Sequence, residues 1–310
     1  AARMKQARRD IPSGIPIGRK ARLKMPLFGL VIDIKLTTTR GENMRCVYRE
    51  KTYVCGDYKE VYIYPCFAES VKKGRRKPKA KPTPAAQKRV NRRAKENNLI
   101  RLLNANFTAK DIAFDLTYRK GEQPETDEQA KKDVQNFLRR LKRYRRAAGL
   151  PELKYIAVTE RGSRGGRYHH HLVINGGVEL SDLAAIWGKG YTKAAPLQFD
   201  ETGLIAKGKY MTKQSLYFRS FNASKNLIHP QPTCRDGRLS RRKVQELFES
   251  GEDRAEAAKL YEGYRLAEAA EFYNDVNGGY YLELRLYKEQ ATFNGRKKRR
   301  KKPCKKTMSA

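Results

Sequence analysis

The stretch YIAVTERGSRGGRYHHHLVIN, residues 155–175, decides the fold. Two runs rich in β-branched and aromatic residues flank a glycine-rich segment, which is the pattern of an antiparallel hairpin. Pairing Glu160 opposite His169 centres the turn on that segment. Because side chains alternate between the faces of a strand, His169 and His171 then share one face with Glu160, and His170 points to the other face with the apolar residues that follow it.

The elements around this hairpin predict an α+β fold. A strand is expected at residues 111–119, followed by a helix that begins with a capping box from Thr126 to Gln129 and ends at Gly149 and Pro151. After the hairpin, the pattern predicts a short helix, a strand near residues 193–200 and a helix through residues 204–218. The order β-α-β-β-α-β-α is that of a ferredoxin-like or RRM-like antiparallel sheet with helices. The first helix is expected to bury Val134, Phe137, Leu138, Leu141 and Ala148, opposite a wall of Arg and Lys.

The central domain is placed at residues 109–220. Five further parts are expected around it: a basic N-terminal tail, a small β module with a Gly-Asp turn, a basic linker with a short helix, an extension of helices and a final strand, and a like-charged disordered tail. Their expected bounds are 1–26, 27–69, 70–108, 221–290 and 291–310.

The charge balance points to a polyanionic partner. The chain has 68 Lys and Arg against 33 Asp and Glu, a formal net charge of +35, which favours nucleic acid. The longest apolar run, Leu27 to Ile34, is far below the roughly 18 residues of a membrane span, and no signal-peptide pattern precedes it. We therefore expect a cytoplasmic protein that does not contact a membrane.

Five cysteines form an odd set without any Cys-x-x-Cys pair: Cys46, Cys55, Cys66, Cys234 and Cys304. This spacing argues against a disulfide framework and against a standard zinc module, so we expect reduced thiols. A metal site made by the first three cysteines stays open as an alternative.

The face that carries Glu160, His169 and His171 predicts chemistry. Two imidazoles and one carboxylate around one point suit a divalent metal and leave open positions for a substrate oxygen. The alternative is that these histidines lie on a polar sheet face or contact phosphate. In KGKYMTKQS, Tyr210 and Lys213 are three residues apart on a predicted helix and share a side.

Tyr210 is the candidate nucleophile. A phenol with a pKa of about 10 becomes an effective nucleophile when a cation or a base favours its phenolate form, and Lys213 supplies a positive charge. The alternative is a Tyr210 that packs beneath the helix and a solvated Lys213. Tyr217 is a second candidate nucleophile, for which packing is the simpler interpretation.

At this point the residues resemble a known family, the HUH-superfamily rolling-circle replication initiators, or Rep proteins. HHH at 169–171 occupies the two-histidine motif, with His170 where relatives carry a bulky hydrophobic residue. FDLTY at 114–118 is similar to the first motif, YIAVTERG carries Glu160 where many relatives have a third metal ligand, and YMTK is similar to the tyrosine motif. The resemblance covers about residues 85–235 and implies the HUH endonuclease fold.

The resemblance implies a metal-dependent, site-specific single-strand DNA endonuclease and strand transferase that initiates rolling-circle replication. Glu160, His169 and His171 would hold Mg²⁺ or Mn²⁺, Tyr210 would form a 5′-phosphotyrosine link, and Lys213 would offset charge. The choice of metal follows from the resemblance, because imidazoles by themselves favour zinc. Basic residues near the motifs are expected to contact single-stranded or origin DNA: Arg161, Arg164, Arg167, Lys207 and Lys209.

Motif order and the missing motor narrow the function further. Relaxases place their tyrosine before the histidines, whereas Tyr210 follows them, as in Rep proteins. The sequence has no G-x-x-x-x-G-K-[ST] motif, so we expect a host helicase and a host polymerase as partners, and no small-molecule cofactor. Two alternatives remain: an HUH transposase or relaxase of a mobile element, and a non-catalytic RRM-like protein that binds nucleic acid.

Overall fold

The structure, a computed structural model, describes residues 21–27, 30–36, 46–67, 85–162, 166–212, 221–250, 259–275 and 277–291. The expected tails lie mostly outside these residues. In the described part, the strands are β1 Ala21–Leu27, β2 Leu30–Leu36, β3 Cys46–Cys55, β4 Tyr58–Phe67, β5 Ile112–Leu116, β6 Tyr155–Arg161, β7 Tyr168–Ile174, β8 Thr192–Pro196, β9 Asn222–Ala223, β10 Thr233–Asp236, β11 Tyr264–Asn274 and β12 Gly279–Lys288. The helices are α1 Ala85–Asn106, α2 Asp127–Ala147, α3 Leu180–Trp187, α4 Ile205–Thr212 and α5 Arg241–Glu249.

The central domain has the predicted order of elements from β5 to α4. Its antiparallel sheet has the strand order β8-β5-β7-β6-β9, in which the first four strands follow the ferredoxin-like arrangement. Helices α2 and α3 pack on one face of this sheet, where Phe114, Leu172 and Trp187 are buried. The fold is therefore α+β and compatible with an RRM-like sandwich.

Helix α2 begins and ends where the sequence predicts. The Thr126 side chain accepts a hydrogen bond from the Gln129 backbone N–H, and Gly149 adopts a φ of 64° just after the helix. Two details differ from the prediction. Ala148 is exposed at the C-cap, and Arg145 is buried, because its guanidinium donates to three backbone carbonyl groups beyond the helix.

A second antiparallel sheet has the strand order β10-β3-β4-β12-β11. The expected hairpin around the Gly-Asp turn is present as β3 and β4, and β4 pairs with the distant strand β12. Helices were expected from about residue 240 to residue 273, but residues 264–274 form β11. The Ala- and Glu-rich sequence favours a helix, yet antiparallel pairing with β12 outweighs this preference.

Helix α1 joins the two sheets. It is longer than the short helix expected at residues 91–103, because it runs from Ala85 to Asn106. Leu99 and Leu103 are fully buried in one core that includes Tyr58 of the second sheet and Val158 of the central sheet. Among the described helices, none is long and apolar enough to cross a membrane.

The cysteines do not form a shared site. Cys46 and Cys55 are the first and last residues of the ten-residue strand β3, so they lie about 30 Å apart. Cys55 is buried at the α1 side of the sheet, and the four cysteines that the structure describes are free thiols. The alternative of one metal bound by Cys46, Cys55 and Cys66 is therefore wrong. Cys304 lies outside the described residues.

Candidate active site

A row of polar side chains crosses the central sheet on one face. Glu160 of β6 pairs with His169 of β7, which confirms the predicted register. His171 pairs with Val158 on one side and with Asp115 of β5 on the other. Because directly paired residues point to the same face, Glu160, His169, His171 and Asp115 all belong to one side of the sheet.

His171 is the centre of this row. Its Nδ1 lies 2.7 Å from Asp115 Oδ1, and its Nε2 lies 3.0 Å from Glu160 Oε1. Burial disfavours the charged imidazolium, but the hydrogen bonds with Asp115 and Glu160 outweigh it and raise the pKa of His171. In return, although burial acts in the opposite direction, His171 lowers the pKa of Asp115. The ion-free site thus holds a positive charge between two carboxylates.

The other two histidines have different environments. Burial lowers the pKa of the half-buried His169, which favours its neutral form. His170 is fully buried on the opposite face, as predicted, where its Nε2 is 2.8 Å from Tyr118 Oη and its Nδ1 is 2.9 Å from Thr159 Oγ1. Burial lowers the pKa of His170 to about 3. His170 therefore belongs to the core below the sheet and does not enter the site.

Helix α4 brings Tyr210 over the row. Ile205 and Met211 are buried in the core, and Gly208 allows the helix to approach α1 closely. A Cβ atom at Gly208 would lie 2.5 Å from Ile100 Cγ1. The Tyr210 ring is 54% exposed, and its centroid is 5.1 Å from that of His171 in an edge-on arrangement. Tyr210 is therefore available to solvent and does not pack beneath the helix.

The charges around Tyr210 disfavour its phenolate in the ion-free site. Burial raises the pKa of Tyr210, and the carboxylates of Glu160 and Asp115 raise it further. Lys207, one helical turn before Tyr210, places its Nζ 5.8 Å from the centroid of the Tyr210 ring. Burial lowers the pKa of Lys207, while Asp115 acts in the opposite direction. Lys207 is thus the described lysine beside the candidate nucleophile.

The donor set fits a divalent cation. Two ligands on adjacent positions of an octahedral cation with bonds of about 2.1 Å lie about 3.0 Å apart. The 3.0 Å separation of Glu160 Oε1 and His171 Nε2 matches that spacing, and Asp115 orients His171 through Nδ1 as carboxylates commonly do behind a ligating histidine. Within the described ranges, however, no group of three or more His, Cys, Asp or Glu side chains is already arranged to hold a metal ion.

The other predicted site residues are only partly described. Lys213, Tyr217 and Arg164 lie outside the described residues. Arg161 and Arg167 are exposed at the two ends of the hairpin loop, where Arg161 Nε donates to Gly166 O at 3.1 Å. Lys209 faces away from the row and forms an ion pair with Glu268 of β11 at 2.8 Å. Their contacts with DNA stay predictions.

The sequence analysis missed two residues of the row. Asp115 contacts His171 directly, and Lys193 of β8 is paired with Asp115. Asp115 is the only charged residue in the strand IAFDL, and the expected ferredoxin-like strand order places β5 beside β7. These two facts together were the signal for Asp115.

One comparison with known proteins gives a match. A family model described as a replication-associated protein of the ORF2 type matches residues 111–215, about a third of the chain. The matched segment runs from β5 through α4 and contains the whole row and Tyr210. It is consistent with a replication initiator of the Rep type. No curated protein and no solved structure matches the chain.

Proposed function

We propose that the protein is a site-specific single-strand DNA endonuclease and strand transferase that initiates rolling-circle replication through a 5′-phosphotyrosine intermediate. The observation that carries the proposal is the position of Tyr210. Its exposed ring lies 5.1 Å from the ring of His171, which is itself hydrogen bonded to Asp115 and Glu160. The family-model match over residues 111–215 supports a role in replication.

In the proposed reaction, the Tyr210 oxygen attacks the scissile phosphorus. A new P–O bond to Tyr210 forms, the bond from phosphorus to the 3′-oxygen breaks, and the released 3′-oxygen takes up a proton. The phenol proton passes to solvent, which reaches the half-exposed ring. The 3′-hydroxyl then primes synthesis, and the reverse attack by a 3′-hydroxyl on the phosphotyrosine rejoins a strand.

Glu160, His169 and His171 would hold a divalent cation, with Mg²⁺ or Mn²⁺ as the expected ions. When bound, such an ion supplies Lewis-acid polarisation of a phosphate oxygen and positive charge near the phenol. Asp115 fixes the orientation of His171, so that Nε2 faces Glu160. Lys207 offers a second positive charge beside the Tyr210 ring. Lys213 remains a further candidate for this role.

The basic surface of the chain fits the expected partner. With a formal net charge of +35, the protein attracts the phosphates of single-stranded or origin DNA in a salt-dependent manner. Arg161, Arg164 and Arg167 belong to the hairpin loop that joins the strands of Glu160 and His169, so we propose that they contact DNA near the cut. A host helicase and a host polymerase complete the proposed replication reaction.

The test is the formation of a covalent adduct. Labelled single-stranded oligonucleotides that tile the origin of the encoding DNA are incubated with the protein and Mn²⁺ and analysed in SDS. We expect an SDS-resistant adduct that EDTA prevents and that Tyr210→Phe abolishes while binding persists. Tyr273→Phe alters a partly exposed tyrosine on β11 of the other sheet and is the matched control that keeps the adduct.

The result also separates the alternatives. An undiminished adduct in Tyr210→Phe would move the nucleophile to another residue, with Tyr217 as the first to test. Binding that is insensitive to EDTA, together with no adduct on any oligonucleotide, would favour a non-catalytic nucleic-acid-binding protein. A transposase or relaxase would give the same adduct but would act on transposon ends or on a transfer origin.

A further inference from the structure

Tyr191 is a large aromatic side chain held out into solvent. Its side chain belongs to a residue that is 74% exposed, although its backbone is fixed. Thr117 donates two hydrogen bonds to the Tyr191 carbonyl, from the backbone N–H at 2.9 Å and from Oγ1 at 3.0 Å. A solvated loop has no need for such a ring, since exposing an apolar surface to water costs free energy.

The segment before Tyr191 is built for close approach. The Arg119 backbone N–H donates to the Lys189 carbonyl at 3.1 Å, and a Cβ atom at Gly190 would lie 2.3 Å from the Thr117 carbonyl oxygen. Only glycine therefore allows residues 189–191 to pack against the end of β5. This packing holds Tyr191 in one place beside the sheet.

Tyr191 lies on the same face as the candidate active site. Lys193 of β8 pairs directly with Asp115, and Tyr191 is two residues before Lys193, so the alternation of a strand places all three on one face. Strand spacing and rise place the backbone of Tyr191 about 12 Å from that of His171. That offset lies toward the β8 edge, away from Glu160.

We propose that Tyr191 stacks on an unpaired base of the DNA strand next to the scissile phosphate, and that Lys193 contacts a phosphate of the same strand. The proposal rests on the proposed function, because it assigns the path of the strand that enters that site. The exposed ring offers a face on which any base can stack, and the exposed ammonium of Lys193 complements the backbone. Bases in a duplex already stack on each other, so the partner is single-stranded.

The test separates bases from phosphates. Fluorescence anisotropy compares two labelled ligands in EDTA, oligo(dT) and an abasic deoxyribose-phosphate oligomer of the same length. Tyr191→Ala is expected to weaken oligo(dT) binding by about 5- to 150-fold and to change binding of the abasic oligomer by less than about twofold. Tyr191→Phe keeps the ring and is expected to bind both ligands like the wild type.

Lys193→Ala is the complementary variant. It is expected to weaken both ligands and to reduce the slope of log affinity against log salt by about 0.7, whereas Tyr191→Ala leaves this slope unchanged. Ile228→Ala removes a 62% exposed apolar side chain elsewhere and should alter neither ligand. Thermal melting verifies that each variant is folded.

Equal affinity of Tyr191→Ala and the wild type for oligo(dT), or an equal loss for both ligands, would overturn the proposal. These outcomes are independent of catalysis because EDTA is present throughout. A selective loss in Tyr191→Ala, combined with no covalent adduct in the wild type, would refute the nicking activity and leave the stacking site standing.

Discussion

Replacing His170 with glutamine is expected to remove a specific acid sensitivity of the fold. His170 is fully buried, between the hydroxyl groups of Tyr118 and Thr159, and burial lowers its pKa from 6.5 to about 3. Below about pH 6.5 the unfolded chain takes up a proton at this imidazole and the folded protein does not. His170 therefore makes the protein less stable as the pH falls from about 6.5 towards 3.

The magnitude follows from the shift of the pKa. Each pH unit below the unfolded pKa costs about 1.4 kcal/mol, so His170 alone removes about 2 kcal/mol of unfolding free energy between about pH 6.5 and pH 5. The contribution is fully present above the unfolded pKa, which fixes its sign. Glutamine does not titrate, so the variant loses this dependence even though imperfect hydrogen bonding makes it less stable by about 1–3 kcal/mol at neutral pH.

Urea denaturation across this pH range, in EDTA, measures the effect. The curve of unfolding free energy against pH should be shallower for His170→Gln than for the wild type by about 1.4 kcal/mol per pH unit. His229→Gln removes an exposed histidine and is the matched control. Equal slopes for His170→Gln and the wild type would refute the reasoning, because they would mean that the folded protein protonates His170 as readily as the unfolded chain does.

Two further substitutions test the site and the fold. Asp115→Asn keeps the shape beside His171 but removes the charge, and should raise the Mn²⁺ concentration for half-maximal adduct formation by about 10- to 100-fold, whereas Asp182→Asn on the other face should not; an unchanged Mn²⁺ dependence would count against the role of Asp115. Arg145→Ala leaves three backbone carbonyls without their donor and should lower the unfolding free energy by about 3 kcal/mol in denaturant titrations, while the exposed Arg146→Ala should change it by less than about 0.5 kcal/mol; a small effect of Arg145→Ala would show that water replaces the guanidinium.

The central hairpin could be predicted because its information is local. The glycine-rich turn fixes the register of β6 against β7, and strand alternation then divides the three histidines between two faces. The same holds for α2, whose capping residue Thr126 and terminal Gly149 mark its ends. Short-range rules of this kind do not depend on where the rest of the chain lies.

The missing parts depend on long-range pairing. The partner of β4 is β12, more than 200 residues later, and no local pattern specifies that choice. The strand β11 forms against a helical propensity because β12 offers it a complete ladder. Asp115 was missed for a similar reason, since its contact with His171 requires β5 to lie beside β7.

The charges of the ion-free site point in one direction. Asp115 and Glu160 stabilise a proton on His171 and disfavour the phenolate of Tyr210, so the same carboxylates hold the candidate nucleophile in its unreactive form. A positive charge that replaced the proton on His171 would offset both carboxylates and lower the pKa of Tyr210. Under the proposed function, activation of the phenol and binding of the cation are therefore one electrostatic event, because both depend on Glu160 and Asp115.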